Sequence, residues 1–228
     1  MSKVILTDQT TTLLKNFSLI NPSILVRAGS VLKTISVGEN IVAEYNCEEE
    51  FPVTFGIYDL VEFCQGLGLF QNPSLSFDNE SYVTITSGSG MTSARYYFSN
   101  PEITLKSAPE KNIQFPSTDM EFVLDGQVLQ TILDAARTYS LPDISLKSEG
   151  KTITVNLLDR EDDTCNTFNQ TVQGESTDDF EVFMKVDNIR VYQVRGRNDD
   201  YRIRVSKSLI TEWSHRHIDL KYYIALEP

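Results

Sequence analysis

The chain has 228 residues, 40% of them hydrophobic and 23% charged, which is ordinary globular composition and enough for one large domain or two of about 110 residues. No apolar run approaches the roughly 20 residues that cross a bilayer, and Met1-Ser2-Lys3-Val4-Ile5-Leu6 lacks the apolar core of a signal peptide, so no membrane role and a cytoplasmic location are expected. A net charge of −12, taken alone, argues against wrapping nucleic acid, because phosphate contacts favour basic surfaces, and Cys47, Cys64 and Cys165, odd in number and without a CxxC, suggest neither a disulfide framework nor a zinc site.

In chain order, the first element is a helix in which Leu13, Leu14, Phe17 and Ile20 recur at helical spacing. Asp8 or Thr10 is available as its N-cap, and Pro22 stops it. Ile24-Leu25-Val26 reads as a strand, and Glu48-Glu49-Glu50 as a solvated loop. A shorter helix is expected over residues 58–65, with Asp59 near its start. The turn Asp78-Asn79-Glu80 leads into a strand over residues 81–85. Ser87-Gly88-Ser89-Gly90 is too short for a phosphate-binding loop and reads as a hairpin turn.

Residues 105–118, with Pro109 and Pro116 and no clean period, read as an extended connector. A second helix pair is then expected. Val128, Leu129, Ile132, Leu133, Ala136 and Tyr139 form the stripe of the first, Asp125 caps it and Pro142 follows. Strands are expected over residues 152–157 and 201–205, an acidic loop at Glu161-Asp162-Asp163, and the short helix over residues 186–192. His215-Arg216-His217 is expected on a surface strand, where the two imidazoles share a face but have no third metal ligand nearby.

The halves repeat one another. Residues 12–24 align with 131–144 through their apolar positions and proline; 55–63 align with 183–191, bringing Asp59 onto Asp187; and Arg95-Tyr96-Tyr97-Phe98 aligns with Lys221-Tyr222-Tyr223-Ile224. Three matches in order, at a near-constant offset, imply two copies of one α+β unit. The expected divisions are 1–107, a connector 108–118, and 119–228.

Chemistry-bearing motifs are missing. There is no GxxxxGK[ST], no GxGxxG and no nucleophile elbow around Cys165 or His215. Neither catalysis nor a cofactor is expected. The cations are more informative. Lys15, Arg137, Lys185 and Arg190 fall opposite the apolar stripes of the expected helices, interrupted by Glu62 and Asp134.

Duplication, paired helices and a proline-containing connector resemble the sliding-clamp family, with the closest likeness to clamps of T-even-like bacteriophages and a more distant one to proliferating cell nuclear antigen. The likeness rests on Thr10-Thr11-Thr12-Leu13-Leu14-Lys15-Asn16-Phe17, on Val53 to Phe63, and on Tyr222-Tyr223-Ile224-Ala225-Leu226-Glu227. It implies a non-enzymatic homotrimeric ring with strands outside and helices lining a hole for duplex DNA, bound without sequence preference. Lys15, Arg137, Lys185 and Arg190 would face the DNA, with Lys3, Arg27 and Lys147 as further candidates. Partners implied are a DNA polymerase, an ATP-driven clamp loader and late transcription factors, in the bacterial host cytoplasm if the protein is phage-encoded. They would enter a pocket formed by Ile113, Phe115 and Pro116 with Ile224, Ala225, Leu226 and Pro228. The rival reading is a strand-rich viral structural or assembly protein, which explains the missing active site but not the duplication.

Overall fold

The computed structural model describes residues 3–100, 105–194 and 196–228. The chain divides into two compact units, Met1–Glu110 and Lys111–Pro228.

The first unit contains β1 (Lys3–Ile5), α1 (Asp8–Ile20), β2 (Ile24–Val26), β3 (Gly29–Ile35), β4 (Ile41–Phe51), β5 (Phe55–Ile57), α2 (Leu60–Leu67), β6 (Ser74–Ser76), β7 (Tyr82–Thr86) and β8 (Ser93–Tyr97). β1-β6-β7-β8 form an antiparallel sheet, β3 pairs with β4, and β2 with β5. Leu13, Leu14, Phe17 and Ile20 are all buried, as the helical stripe requires, and removing each such side chain from water contributes about 1.5–3 kcal/mol. The hairpin at Ser87–Gly90 is present, and Gly90 takes the positive φ of 72° that the turn requires.

Two expectations fail here. The N-cap of α1 is Thr7, one residue before Asp8, and its hydroxyl accepts from Thr10 N at 3.2 Å. The acidic run is not a loop, because Glu48, Glu49 and Glu50 lie on β4. Strand alternation turns Glu49 inward, where its carboxylate accepts from Thr7 N and from Thr10 Oγ1, both at 2.6 Å. An inward carboxylate is stable there because it meets unpaired donors and the positive end of the α1 dipole.

The second unit contains β9 (Met120–Leu124), α3 (Gly126–Tyr139), β10 (Asp143–Glu149), β11 (Thr152–Leu158), β12 (Phe168–Ser176), β13 (Glu181–Lys185), a 3₁₀ turn (Val186–Asn188), β14 (Tyr201–Ser206), β15 (Ile210–His215) and β16 (Leu220–Ala225). Its strands follow the order β13-β10-β11-β12-β9-β14-β15-β16, each antiparallel to its neighbour. β11 alternates regularly, with Ile153, Val155 and Leu157 buried.

The repeat is visible in equivalent contacts. The carbonyl of each helix-ending proline accepts a hydrogen bond from the segment after the aligned strand: Pro22 O from Leu60 N at 2.7 Å, and Pro142 O from Val186 N at 2.8 Å. One member of the repeat departs from the expected pattern. The helix expected over residues 186–192 is only the 3₁₀ turn, with no side-chain cap. Val186, Ile189 and Val191 are β-branched, and Asp187 and Asn188 compete for backbone hydrogen bonds, so this copy lacks the propensity of Leu60-Val61-Glu62-Phe63. Asp59 caps α2 by accepting from Glu62 N at 2.8 Å, whereas the aligned Asp187 lies inside the turn.

His215 also departs from expectation. It ends β15 with its side chain only 1% exposed, and Nε2 lies 3.2 Å from Asp199 Oδ1. Nδ1 accepts from the amides of His217 and Ile218, both at 3.1 Å, so the neutral ring carries its proton on Nε2. Burial holds the His215 pKa below its ordinary value, and Asp199 opposes that shift. The imidazole is a structural group rather than half of a surface metal pair.

Candidate nucleic-acid and partner interface

α1 and α3 each bury one stripe and leave another in water. On α1 the exposed stripe is Asp8, Thr12, Lys15 and Leu19. On α3 it carries Gln127, Thr131, Arg137 and Thr138, with Asp134 half-buried beside them. Asp125 fixes the start of α3 by accepting from Gln127 N at 2.8 Å and Val128 N at 3.3 Å. Gly126 follows because a Cβ there would sit 2.8 Å from Asp199 N. Its amide donates to Asp200 Oδ1 at 2.9 Å, and its carbonyl accepts from Gln193 Nε2 at 2.6 Å. The segment before β14 is thereby tied to the helix N-terminus.

The seven cations expected at DNA fall into two groups. Lys15 on α1 and Lys3 on β1 are exposed, with no ion-pair partner among the described residues. The others are engaged. Arg137 pairs with Asp134 at 2.9 Å, Lys147 with Glu149 at 2.7 Å, and Lys185 with Asp143 at 2.6 Å. Arg190 Nε donates to Asp187 O at 3.0 Å. Arg27 donates to Ala108 O at 3.0 Å and lies 3.4 Å from Glu110, so it holds the connector. Lys185 ends β13 and Arg190 follows the 3₁₀ turn, so neither stands on a helix, because the short helix that would have carried them does not form. Lys147 lies within β10, Arg27 directly after β2, and Lys3 on β1.

The partner residues are also divided. Ile113 and Phe115 are half-buried and Pro116 is exposed. The Arg204 guanidinium lies 4.7 Å from the centre of the Phe115 ring and is itself held by Glu212 Oε1 at 2.6 Å. Burial alone would raise the Glu212 pKa, but hydrogen bonds from Arg204 and Ser214 outweigh it and leave the net shift downward. Ile224 is 0% exposed and Leu226 6%, so both belong to the core of their unit, while Ala225 is exposed. Pro228 is exposed, and its carbonyl accepts from Arg160 at 3.0 Å.

Sequence reasoning overlooked two residues. Arg204 is signalled by the alternation Arg202-x-Arg204 on a strand whose neighbours bring Glu121 and Glu212 into register. Arg197 lines a cavity of about 350 Å³ with Gln127, Gln130, Gln193 and Asn198 and has no ion-pair partner among the described residues. Only its place in a Gly-Arg-Asn turn hinted at exposure.

No group of three or more His, Cys, Asp or Glu residues poised for a metal occurs among the described residues, and no described helix is long and apolar enough to cross a membrane.

Fold and surface together define a duplicated, strand-rich α+β clamp architecture. A family profile described as DNA polymerase processivity factor matches residues 7–95. The chain is 32% identical to the sliding clamp of Vibrio phage KVP40 over 97% of its own length and 98% of that protein, and 26% identical to the sliding clamp of Enterobacteria phage T4 over 71% and 70%. Among solved structures, A. fulgidus PCNA bound to the C-terminal region of FEN-1 superposes with a TM-score of 0.74 over 100% of this chain and 99% of that one, at 13% identity. The chain belongs to the sliding clamp family, the processivity factors of DNA polymerases. The alternative of a viral structural or assembly protein is set aside by this membership.

Proposed function

We propose that three copies join head to tail into a non-enzymatic ring that encircles duplex DNA and tethers a polymerase. The carrying observation is the duplication: each unit presents one first helix with a solvent-facing, mostly polar stripe, so three chains supply six. Two incomplete strand edges support assembly. β8 ends its sheet and is largely exposed, and residues 168–173 of β12 pair only with β11 among the described residues. Pairing β8 of one copy with β12 of the next is a heterologous contact, and such contacts close into rings when the rotation permits. Lys15 and Lys3 then face phosphates directly. Arg137, Lys147, Lys185 and Arg190 exchange present partners for phosphate, while Arg27 acts mainly on the connector. Divisions at 1–107, 108–118 and 119–228 follow the same reading.

For partners, we assign the accessible docking surface to Ile113, Phe115, Pro116, Ala225 and Pro228, with Ile224 and Leu226 as its buried support. Polymerase, an ATP-driven loader and late transcription factors would compete there. Native mass measurement at micromolar concentration tests the assembly, with three times 25.8 kDa expected. Clamp loaded on closed circular DNA should persist and should leave once the circle is linearised. A strict monomer, or equal loss from both forms, would overturn the reading.

A further inference from the structure

A second cavity lies in the first unit, apart from the helix faces and the connector. It measures about 260 Å³ and is lined by Val53, Thr54, Phe77, Asp78, Glu80 and Phe98. Its aromatic wall is built from the core outward. Phe55 is buried, with Phe77 and Phe98 ring centres each 5.1 Å from its own and Phe51 at 6.0 Å. Gly56 lets the residue 98–99 backbone approach, since a Cβ there would meet Ser99 O at 2.7 Å. Val53 is 42% exposed.

The rim is acidic and uncompensated. Asp78 and Glu80 are exposed, and neither has an ion-pair partner among the described residues. Glu39, Glu44 and Glu110 of the same unit each meet a Lys or Arg, whereas Asp78 and Glu80, like Asp8, Glu48, Glu50 and Glu62, have none among the described residues. Aromatic faces and carboxylates share one preference, a cation that is weakly hydrated and planar. A guanidinium fits that description better than an ammonium, because it stacks on rings and forms two parallel hydrogen bonds to a carboxylate. The volume suits one long side chain rather than a folded domain.

We propose that this cavity docks an arginine side chain from an extended segment of a partner protein, with an adjacent apolar side chain of that segment resting on Val53. The cavity shares no lining residue with the connector surface.

The test uses fluorescein-labelled hexapeptides with a central Leu-Arg, Leu-Lys or Leu-citrulline, titrated with the full-length protein by anisotropy at low salt. Because the chain carries a net charge of −12, general attraction must be separated from docking. The variant Asp78→Lys/Glu80→Lys is therefore compared with Glu161→Lys/Asp163→Lys, an equal charge change at exposed positions of the other unit. Saturable binding of the arginine peptide is expected, weakened at least tenfold by citrulline and at least tenfold by the rim variant, but less than twofold by the distant one. The lysine peptide should fall between arginine and citrulline. Equal weakening by the two double variants, or equal affinity of the arginine and citrulline peptides, would overturn the proposal. Unchanged native mass and Tm in both variants ensure that the comparison reports on binding.

Discussion

Lys185→Ala separates a phosphate contact from a structural one. Lys185 Nζ lies 2.6 Å from Asp143 Oδ1, and the Asp143 side chain is only 1% exposed while that of Lys185 is 43% exposed. The other carboxylate oxygen receives Arg160 N at 3.3 Å, a long bond. Alanine therefore leaves a buried carboxylate with weak compensation. Breaking a fully buried pair costs about 3–5 kcal/mol. Here the lysine side is open, so water takes over part of its task, and about 1–2 kcal/mol is expected. Hydrogen bonding to Asp143 raises the Lys185 pKa above its ordinary 10.5, so the pair is intact at neutral pH and its contribution is lost only as pH rises through that raised value. Urea unfolding followed by the fluorescence of Trp213, the single tryptophan, reports on this unit directly. Asp143→Asn in the alanine background should recover much of the loss, because no buried charge remains. In parallel, the salt slope of DNA binding should fall by roughly 0.9 if Lys185 reaches phosphate. A Lys185→Ala protein within about 0.3 kcal/mol of the parent would refute the structural argument.

Gly126→Ala should destabilise the second unit by about 1–3 kcal/mol, since the new methyl meets the Asp199 backbone at 2.8 Å; chemical denaturation measures it, and an unchanged midpoint would contradict the contact. Burial depresses the pKa of His215 below 6.5, so the unfolded chain binds the proton more readily; stability should be full above about pH 6.5 and fall as pH is lowered through the depressed value. His215→Gln should flatten that dependence in Tm scans between pH 5 and 7.5.

The α+β class, the duplication, both long helices and the Asp125 cap were legible because each follows from local pattern. Leu13, Leu14, Phe17 and Ile20 repeat at helical spacing, and Pro22 and Pro142 serve as stops and as acceptors in equivalent places. The short helix at 186–192 was misread because repeat alignment outweighed the propensity of Val-Asp-Asn-Ile. Glu49 was misread because its partners, Thr7 and Thr10, lie about forty residues away and only strand pairing brings them together. The site was less legible for a related reason. Spacing reveals which side chains leave a helix but not which meet a partner, and Arg27, Arg137 and Lys147 each find one.

This pairing bears on how the proposed ring, acidic overall, would hold an acidic polymer. Of the seven cations expected at DNA, Lys3 and Lys15 alone have side chains without a described ion-pair or hydrogen-bond partner. In the proposed ring three copies supply six such lysines, which caps the salt slope from unencumbered contacts at about 5, roughly 0.9 for each phosphate. Each engaged cation must give up an ion pair or a carbonyl before it contributes more. Exposed pairs such as Arg137–Asp134 and Lys147–Glu149 are worth only about 0–1 kcal/mol, so their exchange for phosphate is nearly neutral and quickly reversed, whereas Lys185 would leave the buried Asp143 carboxylate behind. Such a lining would grip no position along the duplex for long. Retention would then depend on the proposed ring being closed, and movement along the DNA on contacts that are individually weak. In the proposed ring, net charge and DNA association would be compatible on these terms, because the duplex would be confined rather than tightly bound.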